Sequence, residues 1–206
     1  MNNISVNLMG GLGNQLFQIF AALSYTMKND KTLIIPDFLK YGIRRETYWH
    51  NFLKEIRPFT SSDDSLHKYK IYKEIDFPFK PLPNFNENTM IEGYFQSYKY
   101  FENEYELIIK LIQLRRKQRE IKIQHSKLVV NKNAISLHFR LGDYKSQQEY
   151  HPILPIEYYE NAIRHILSVR LNCKILYFCQ KEDDEVVENK VDYLRSKFPL
   201  QFVKVH

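Results

Sequence analysis

The sequence predicts an α/β protein built on parallel strands, and three observations predict it. Residues 4–9, Ile-Ser-Val-Asn-Leu-Met, form a short apolar run of the kind buried in a sheet, and three of the chain's six glycines, Gly10, Gly11 and Gly13, break it at once. Apolar residues then recur at helical spacing. From residue 134 strand and helix patterns alternate again to the end of the sequence. Such βαβα order implies a parallel sheet with helical crossovers.

Taken in order, Leu16, Phe17, Phe20, Ala21, Leu23 and Tyr25 place an amphipathic helix from Asn14 to about Asn29. Residues 32–35, stopped by Pro36, read as the second strand of a βαβ unit. Residues 37–88 are rich in Pro, Phe, Tyr and Lys and lack a period, so loops and short helices are expected, with Pro78, Pro81 and Pro83 opposing any regular element. A strand is expected at 89–92. One long helix is then expected over 102–120, with Leu107, Ile108, Leu111, Ile112 and Leu114 turned to the core. Arg115, Arg116, Lys117 and Arg119 would crowd its last turns, where the helix dipole favours cations.

The stretch 122–132 is polar and basic apart from Leu128, Val129 and Val130. A domain junction falls there, giving an N-terminal α/β domain over 1–125 and a C-terminal Rossmann-like one over 126–206. The second series reads as strand 134–139, a loop to Pro155, helix 156–168, strand 174–179, helix 183–197 and strand 201–205.

At 206 residues, 44% hydrophobic and 26% charged, the chain is long and apolar enough to bury a core, which excludes wholesale disorder. A net charge of +6 suits anionic ligands or simply solubility. The basic run 115–122 lacks interleaved glycines and aromatics, so it reads as a solvated helix end and no nucleic-acid partner is expected. Cys173 and Cys179 are too few for a disulfide framework or a four-cysteine zinc site, and no His pair has ligand spacing, so no metal is expected. No membrane span and no secretory signal is visible, which makes a soluble, cytoplasmic protein the expectation.

A glycine turn between strand and helix points backbone N–H groups to the helix N-terminus, where the dipole favours negative charge. Two familiar phosphate turns are excluded. A dinucleotide fingerprint would need a third glycine where Leu16 stands, and no Gly-Lys-Ser/Thr triplet of a P-loop occurs. The turn is either purely structural or an anion site of another kind, with Gly11, Gly13, Asn14 and Gln15 as its candidates. Asn14 also reads as the helix N-cap.

The second constellation is Ile135 to Tyr144, ISLHFRLGDY, where a β-rich run ends in His138, Arg140 and Asp143 around Gly142. Polar groups at the carboxyl end of a parallel strand stand where ligands bind in open α/β sheets. If the pleat persists, His138 and Arg140 project to one side and Phe139 to the other. Arg140 can fork two donors onto phosphate oxygens, and Asp143 either holds that guanidinium or accepts from a ligand hydroxyl. The competing reading is an Arg140–Asp143 pair that only staples a loop.

Together GGLGNQLFQ and HFRLGDY resemble glycosyltransferase family 11, the α-1,2-fucosyltransferases. The family's usual second pattern, His-x-Arg-Arg/x-Gly-Asp-Tyr, is matched by His138, Arg140, Gly142, Asp143 and Tyr144. Between them GYFQSYKYF, from Gly93, is similar to the family's segment closing the first domain, so the resemblance spans nearly the whole chain. It implies a GT-B-like architecture of two Rossmann-like α/β units facing a cleft, the second one incomplete. It further implies GDP-fucose as donor, inverting transfer to the 2-hydroxyl of a galactose-containing glycan acceptor, and no obligatory metal or other cofactor. Arg140 would stabilise the leaving diphosphate, with Gly13, Asn14 and Gln15 meeting it from the opposite domain. Asp143 is the second catalytic candidate; His138 and Asp143 would bind donor groups or hold Arg140, and Gly11, Gly142 and Tyr144 would bind the donor. The general base stays open among Asp143, Glu92 and Asp37, or the path needs little base assistance. Tyr94, Phe95, Tyr98 and Tyr100 serve either sugar stacking or the core.

Two departures from the family pattern matter. Its Phe-Ser-Asp-Asp stretch is replaced after strand 174–179 by Gln180, Lys181, Glu182, Asp183 and Asp184, the last two being helix-start acids or partial substitutes after a shift. Members continue with Asn-Ser-Ser-Phe-Ser-Trp-Trp, whereas this sequence stops at His206 and has its one Trp at position 49. Either the chain is incomplete or it is a shortened relative. The alternative function is therefore an inactive homologue that binds nucleotide-sugar or a protein partner.

Overall fold

The computed structural model describes residues 2–37, 40–41, 45–76, 78–126, 133–170 and 173–205. The chain divides into two compact units, residues 1–120 and 121–206.

In the first unit, β1 (Asn3–Asn7) lies between β2 (Thr32–Leu33) and β8 (Thr89–Glu92), with β7 (Lys70–Lys73) beyond β8. All the pairings of this sheet are parallel, with Ile4 opposite Leu33 and Val6 opposite Ile91. The helix α1 (Leu12–Lys28) follows β1 and packs on it, so Ile4, Val6, Leu8 and Ile91 share one core with Ile19, Ala22 and Leu23. Phe101 caps that layer edge-on to Phe20, ring centres 5.3 Å apart. Smaller pairs finish the unit: β3 (Ile35–Pro36) with β6 (Thr60–Ser61), and β4 (Lys40–Tyr41) with β5 (Arg45–Glu46). The expected strand 32–35 is thus shared between two sheets. The N–H of Ile34 still donates to the carbonyl of Ile4 at 2.9 Å, but Pro36 has no donor with which to extend that ladder. Strand β7 was not expected; Lys-Ile-Tyr-Lys gains its order from pairing with β8 rather than from burial.

The long helix expected over 102–120 is two helices, α2 (Tyr105–Leu111) and α3 (Leu114–Gln124). Between them Gln113 is left-handed, with φ +54°. Its position just past a helix end is where such a residue usually sits, although glycine is the common choice. The break leaves the carbonyl of Ile112 open, and Lys117 Nζ fills it at 2.6 Å while also meeting Glu55. Burial raises the Glu55 carboxyl, but the Lys117 hydrogen bond and charge outweigh it and hold the group below its ordinary value. The basic residues therefore open α3 instead of closing one long helix. The dipole disfavours cations there, and ion pairs of Arg115 with Glu106 and Arg116 with Glu120 offset it. Ile108 and Ile112 face the core as expected, but Leu107 is exposed and Ile109 takes its buried place.

The second unit holds β9 (Ala134–His138), β10 (Lys174–Phe178) and β11 (Gln201–Lys204), parallel and in the order β11-β10-β9. The crossovers are α4 (Ile156–Val169) and α5 (Asp184–Lys197). Ile163, Ile175, Val187, Val191 and Leu194 fill the core, and Phe139 packs on Tyr159 at 4.6 Å. These elements match the sequence expectation to within two residues at each end. Cys173 is buried; burial and a hydrogen bond to Asp184 push the half-buried Cys179 thiol up to about 11. The apolar trio 128–130 lies outside the described residues. Among the described residues no helix is long and apolar enough to cross a membrane.

Candidate active site

Strand order in the first sheet reverses at β1. The chain leaves it toward β2 and returns on the other side as β8. Ligands of open α/β sheets bind outside the carboxyl ends of strands at such a reversal, and there the Gly turn stands beside the segment that follows β8. Gly10 has φ +73°, and a Cβ on it would come within 2.3 Å of Asn14 Nδ2, so this position requires glycine. Gly11 and Gly13 are different: a Cβ on either would meet nothing within 4 Å. Neither is glycine for lack of room inside the fold. Helix α1 has no side-chain cap and no acid in its first turn, which leaves its N-terminal N–H groups to an outside acceptor.

Asn14 is not the N-cap; Gly11 is. Asn14 sits inside the first turn, where its Oδ1 accepts from Gln96 Nε2 at 2.7 Å and ties the turn to the segment after β8. Gln15, expected to meet a diphosphate, is fully buried. Its Nε2 donates to the carbonyls of Gly10 and Glu46, both at 3.0 Å, so its amide hydrogens hold the turn instead. Gln18 does the same one helical turn on, accepting from Met9 N–H at 2.9 Å and donating to Met9 O at 3.3 Å. The sequence reading missed Gln18. Two buried glutamines three apart after a glycine turn are the signal, because a buried amide must find backbone partners.

The segment after β8 is clamped by Glu74, whose Oε2 accepts from the N–H groups of Tyr94 at 2.7 Å and Phe95 at 3.0 Å. Gly93 is needed here, since a Cβ on it would lie 2.3 Å from Glu74 Cβ. Phe95 is buried core at φ +49°, and Tyr100 packs edge-on to it at 5.4 Å. Of the four aromatics considered for sugar stacking, Tyr98 is the well-exposed one. Tyr94 lines a cavity of about 330 Å³ with Met9, Lys73 and Glu92.

In the second unit the pleat persists past the end of β9: His138 is exposed, Phe139 buried, Arg140 half-buried and Leu141 buried. Arg140 Nη2 donates to Asp143 Oδ1 at 2.9 Å and Oδ2 at 3.3 Å, and its guanidinium lies 5.0 Å from the Tyr144 ring centre. Tyr144 in turn stacks on His151 at 4.7 Å. The guanidinium is thereby held on one edge and one face, while its buried Nε has no partner among the described residues. Gly142 is left-handed at φ +29° and gives its N–H to Asp183 Oδ2 at 2.9 Å.

Asp183 is the second residue whose work the sequence reading did not see. It is not simply an acid facing its own helix. Its buried side chain turns from the segment after β10 to the loop after β9, taking both the Gly142 N–H and Lys145 Nζ. Burial would raise its carboxyl, but the hydrogen bonds from Lys145 and Gly142 and the Lys145 charge prevail and hold it below the ordinary value. Of the three candidate bases, Asp143 engages Arg140, Glu92 lies 3.5 Å from Asn7 Nδ2 and from Lys73 Nζ, and Asp37 gives its backbone N–H to Ser61.

The fold is GT-B-like, mixed α/β with parallel sheets. Crystal structures of NodZ α-1,6-fucosyltransferase match all of this chain and 78% of their own length, at 13% identity. The form co-crystallized with GDP has a TM-score of 0.50 and the form soaked with GDP-fucose 0.51. A selenomethionine form from Bradyrhizobium gives 0.50. In sequence, the O-antigen biosynthesis glycosyltransferase WbnK of Escherichia coli is 26% identical over 225 aligned residues, covering 88% of this chain and 73% of the relative. No protein-family model matches the chain.

Proposed function

We propose that this chain is a glycosyltransferase of the α-1,2-fucosyltransferase kind, moving fucose from GDP-fucose with inversion to the 2-hydroxyl of a galactose-containing acceptor. The observation that carries the reading is Arg140, set at the carboxyl end of β9, steadied by Asp143 and Tyr144, with a buried Nε that has no acceptor among the described residues. Breaking the sugar–phosphate bond places charge on the β-phosphate, and a fixed guanidinium aimed there lowers the barrier. Within the first unit, the N-terminus of α1 with bare glycines at Gly11 and Gly13 is the kind of backbone that accepts an anion. The sequence similarity to WbnK and the fold shared with NodZ, crystallized with GDP and GDP-fucose, support the same reading. The account uses no metal, since Arg140 supplies the positive charge at the leaving phosphate.

The test is to incubate the purified chain with GDP-fucose and a panel of β-galactosides, with and without EDTA. Released GDP and a 2-linked fucosylated product, at a rate EDTA does not lower, are expected. Binding of GDP without turnover on any acceptor would leave only a nucleotide-sugar binder, and no GDP binding would overturn the proposal.

Gly13→Ala separates the ligand role from the structural one. Alanine fits the helix, has room at this position and should raise stability by about 0.5–1 kcal/mol. The same methyl group should weaken GDP binding by about tenfold or more, since it occupies the closest approach to phosphate. Calorimetry showing greater stability with unchanged GDP affinity would remove Gly13 from the donor site.

A further inference from the structure

The break at Gln113 creates a feature that the proposed reaction does not use. Where α2 ends and α3 begins, a cavity of about 520 Å³ opens, and it shares no lining residue with either turn described above. Its walls carry Lys110, Arg115, Arg116 and Arg119 beside Leu107 and Ile109, with Glu106 as the lining acid. Arg115 is paired with Glu106 and Arg116 with Glu120. Lys110 and Arg119 have no ion partner among the described residues, so the groove keeps two positive charges in excess.

Three independent features point the same way. The four cations, each exposed, line one concavity. The N-terminus of α3, an 11-residue helix without an acid in its first turn, belongs to the same concavity. Leu107 is 59% exposed at its wall, an apolar side chain left in water next to the charges. A single carboxylate would satisfy one guanidinium fork, whereas two uncompensated cations and a helix N-terminus suit a multiply charged oxyanion.

We infer that this groove is a second anion site, which takes a phosphate or diphosphate ester with its charged end on Lys110 and Arg119 and its apolar portion along Leu107. The ester is either a soluble phosphorylated compound or an anionic lipid headgroup, and both present the same oxyanion.

The test uses Arg140→Ala as background, so that the proposed guanidinium contact does not contribute. Inorganic pyrophosphate is titrated calorimetrically, and co-sedimentation is measured with phosphatidylcholine vesicles containing phosphatidylglycerol. The Arg140→Ala chain should bind in at least one arm, and adding Lys110→Gln and Arg119→Gln should weaken that binding by about tenfold or more. Those two substitutions alone should leave GDP affinity unchanged. Pyrophosphate binding identifies a soluble ester, and vesicle binding a headgroup. No binding in either arm, or equal binding after Lys110→Gln and Arg119→Gln, would overturn the inference without touching the proposed transferase activity.

Discussion

Arg140→Ala should lower fucosyl turnover by about 10²- to 10³-fold, the loss found when one fixed donor to a developing oxyanion is removed. The fold should survive. The side chains of Arg140 and Asp143 are 41% and 39% exposed, and an ion pair that open contributes less than about 1 kcal/mol. The core neighbours of the loop, Phe139 and Leu141, project to the opposite side. Arg140→Lys should not rescue activity, because one ammonium nitrogen cannot hold Asp143 as Nη2 does and also offer a donor where Nε stands. The measurement is kcat beside thermal unfolding for both variants. Unchanged turnover would return Arg140 to the competing role, a staple of its own loop.

Most of the backbone that carries this arginine was legible in the sequence. In the second unit every element expected from apolar periodicity is present, because β-branched and aromatic residues at β9 and β10 and the period of α4 and α5 all serve one small core. The first unit shows where such reading stops. Residues 107–119 contain no glycine and no proline, and all favour a helix, yet the chain breaks at Gln113. Lys117 closes on Ile112 O and Glu55 across the break, and Glu55 is 62 residues away in sequence. No local preference encodes that contact. The strand 32–35 divides between sheets for a similar reason, since the partner of β3 arrives only at Thr60.

For the candidate residues, chemical type and strand-end position were legible, their tasks were not. Gly11 and Gly13 follow β1, and Arg140, Asp143 and Tyr144 follow β9, each group past the carboxyl end of a parallel strand. Gln15 and Gln18 show the limit. A glutamine beside a glycine turn reads equally as a ligand contact or as backbone support, and only burial distinguishes them. Gln96 and Glu74 act on the Gly turn and on the segment after β8 from far along the chain, through hydrogen bonds that leave no periodic trace.

Asp183 has the second large expected effect, and it acts without needing to touch a substrate. It anchors the Gly142 N–H two residues from Arg140, so its carboxylate sets where the guanidinium loop stands. Asp183→Asn keeps the size but places an amide against Lys145 and removes the charge that the ammonium group faces. The expected loss is about 1–3 kcal/mol of stability, as for a buried acceptor whose charged partner is stranded. Turnover should fall by up to about 10²-fold, because loop displacement near 1 Å is enough for that. Lys145→Gln should do less, since its side chain is 51% exposed and water can replace it. The pH dependence tells the carboxylate apart from a packing role. Its folded-state value lies below the unfolded one, so the unfolded chain binds the extra proton and the stabilisation is full above about pH 4. It is lost as pH falls through the lower folded value. The stability gap between wild type and Asp183→Asn should therefore be constant near neutrality and close in acid; a gap that persists unchanged into acid would mean that the residue serves by shape alone.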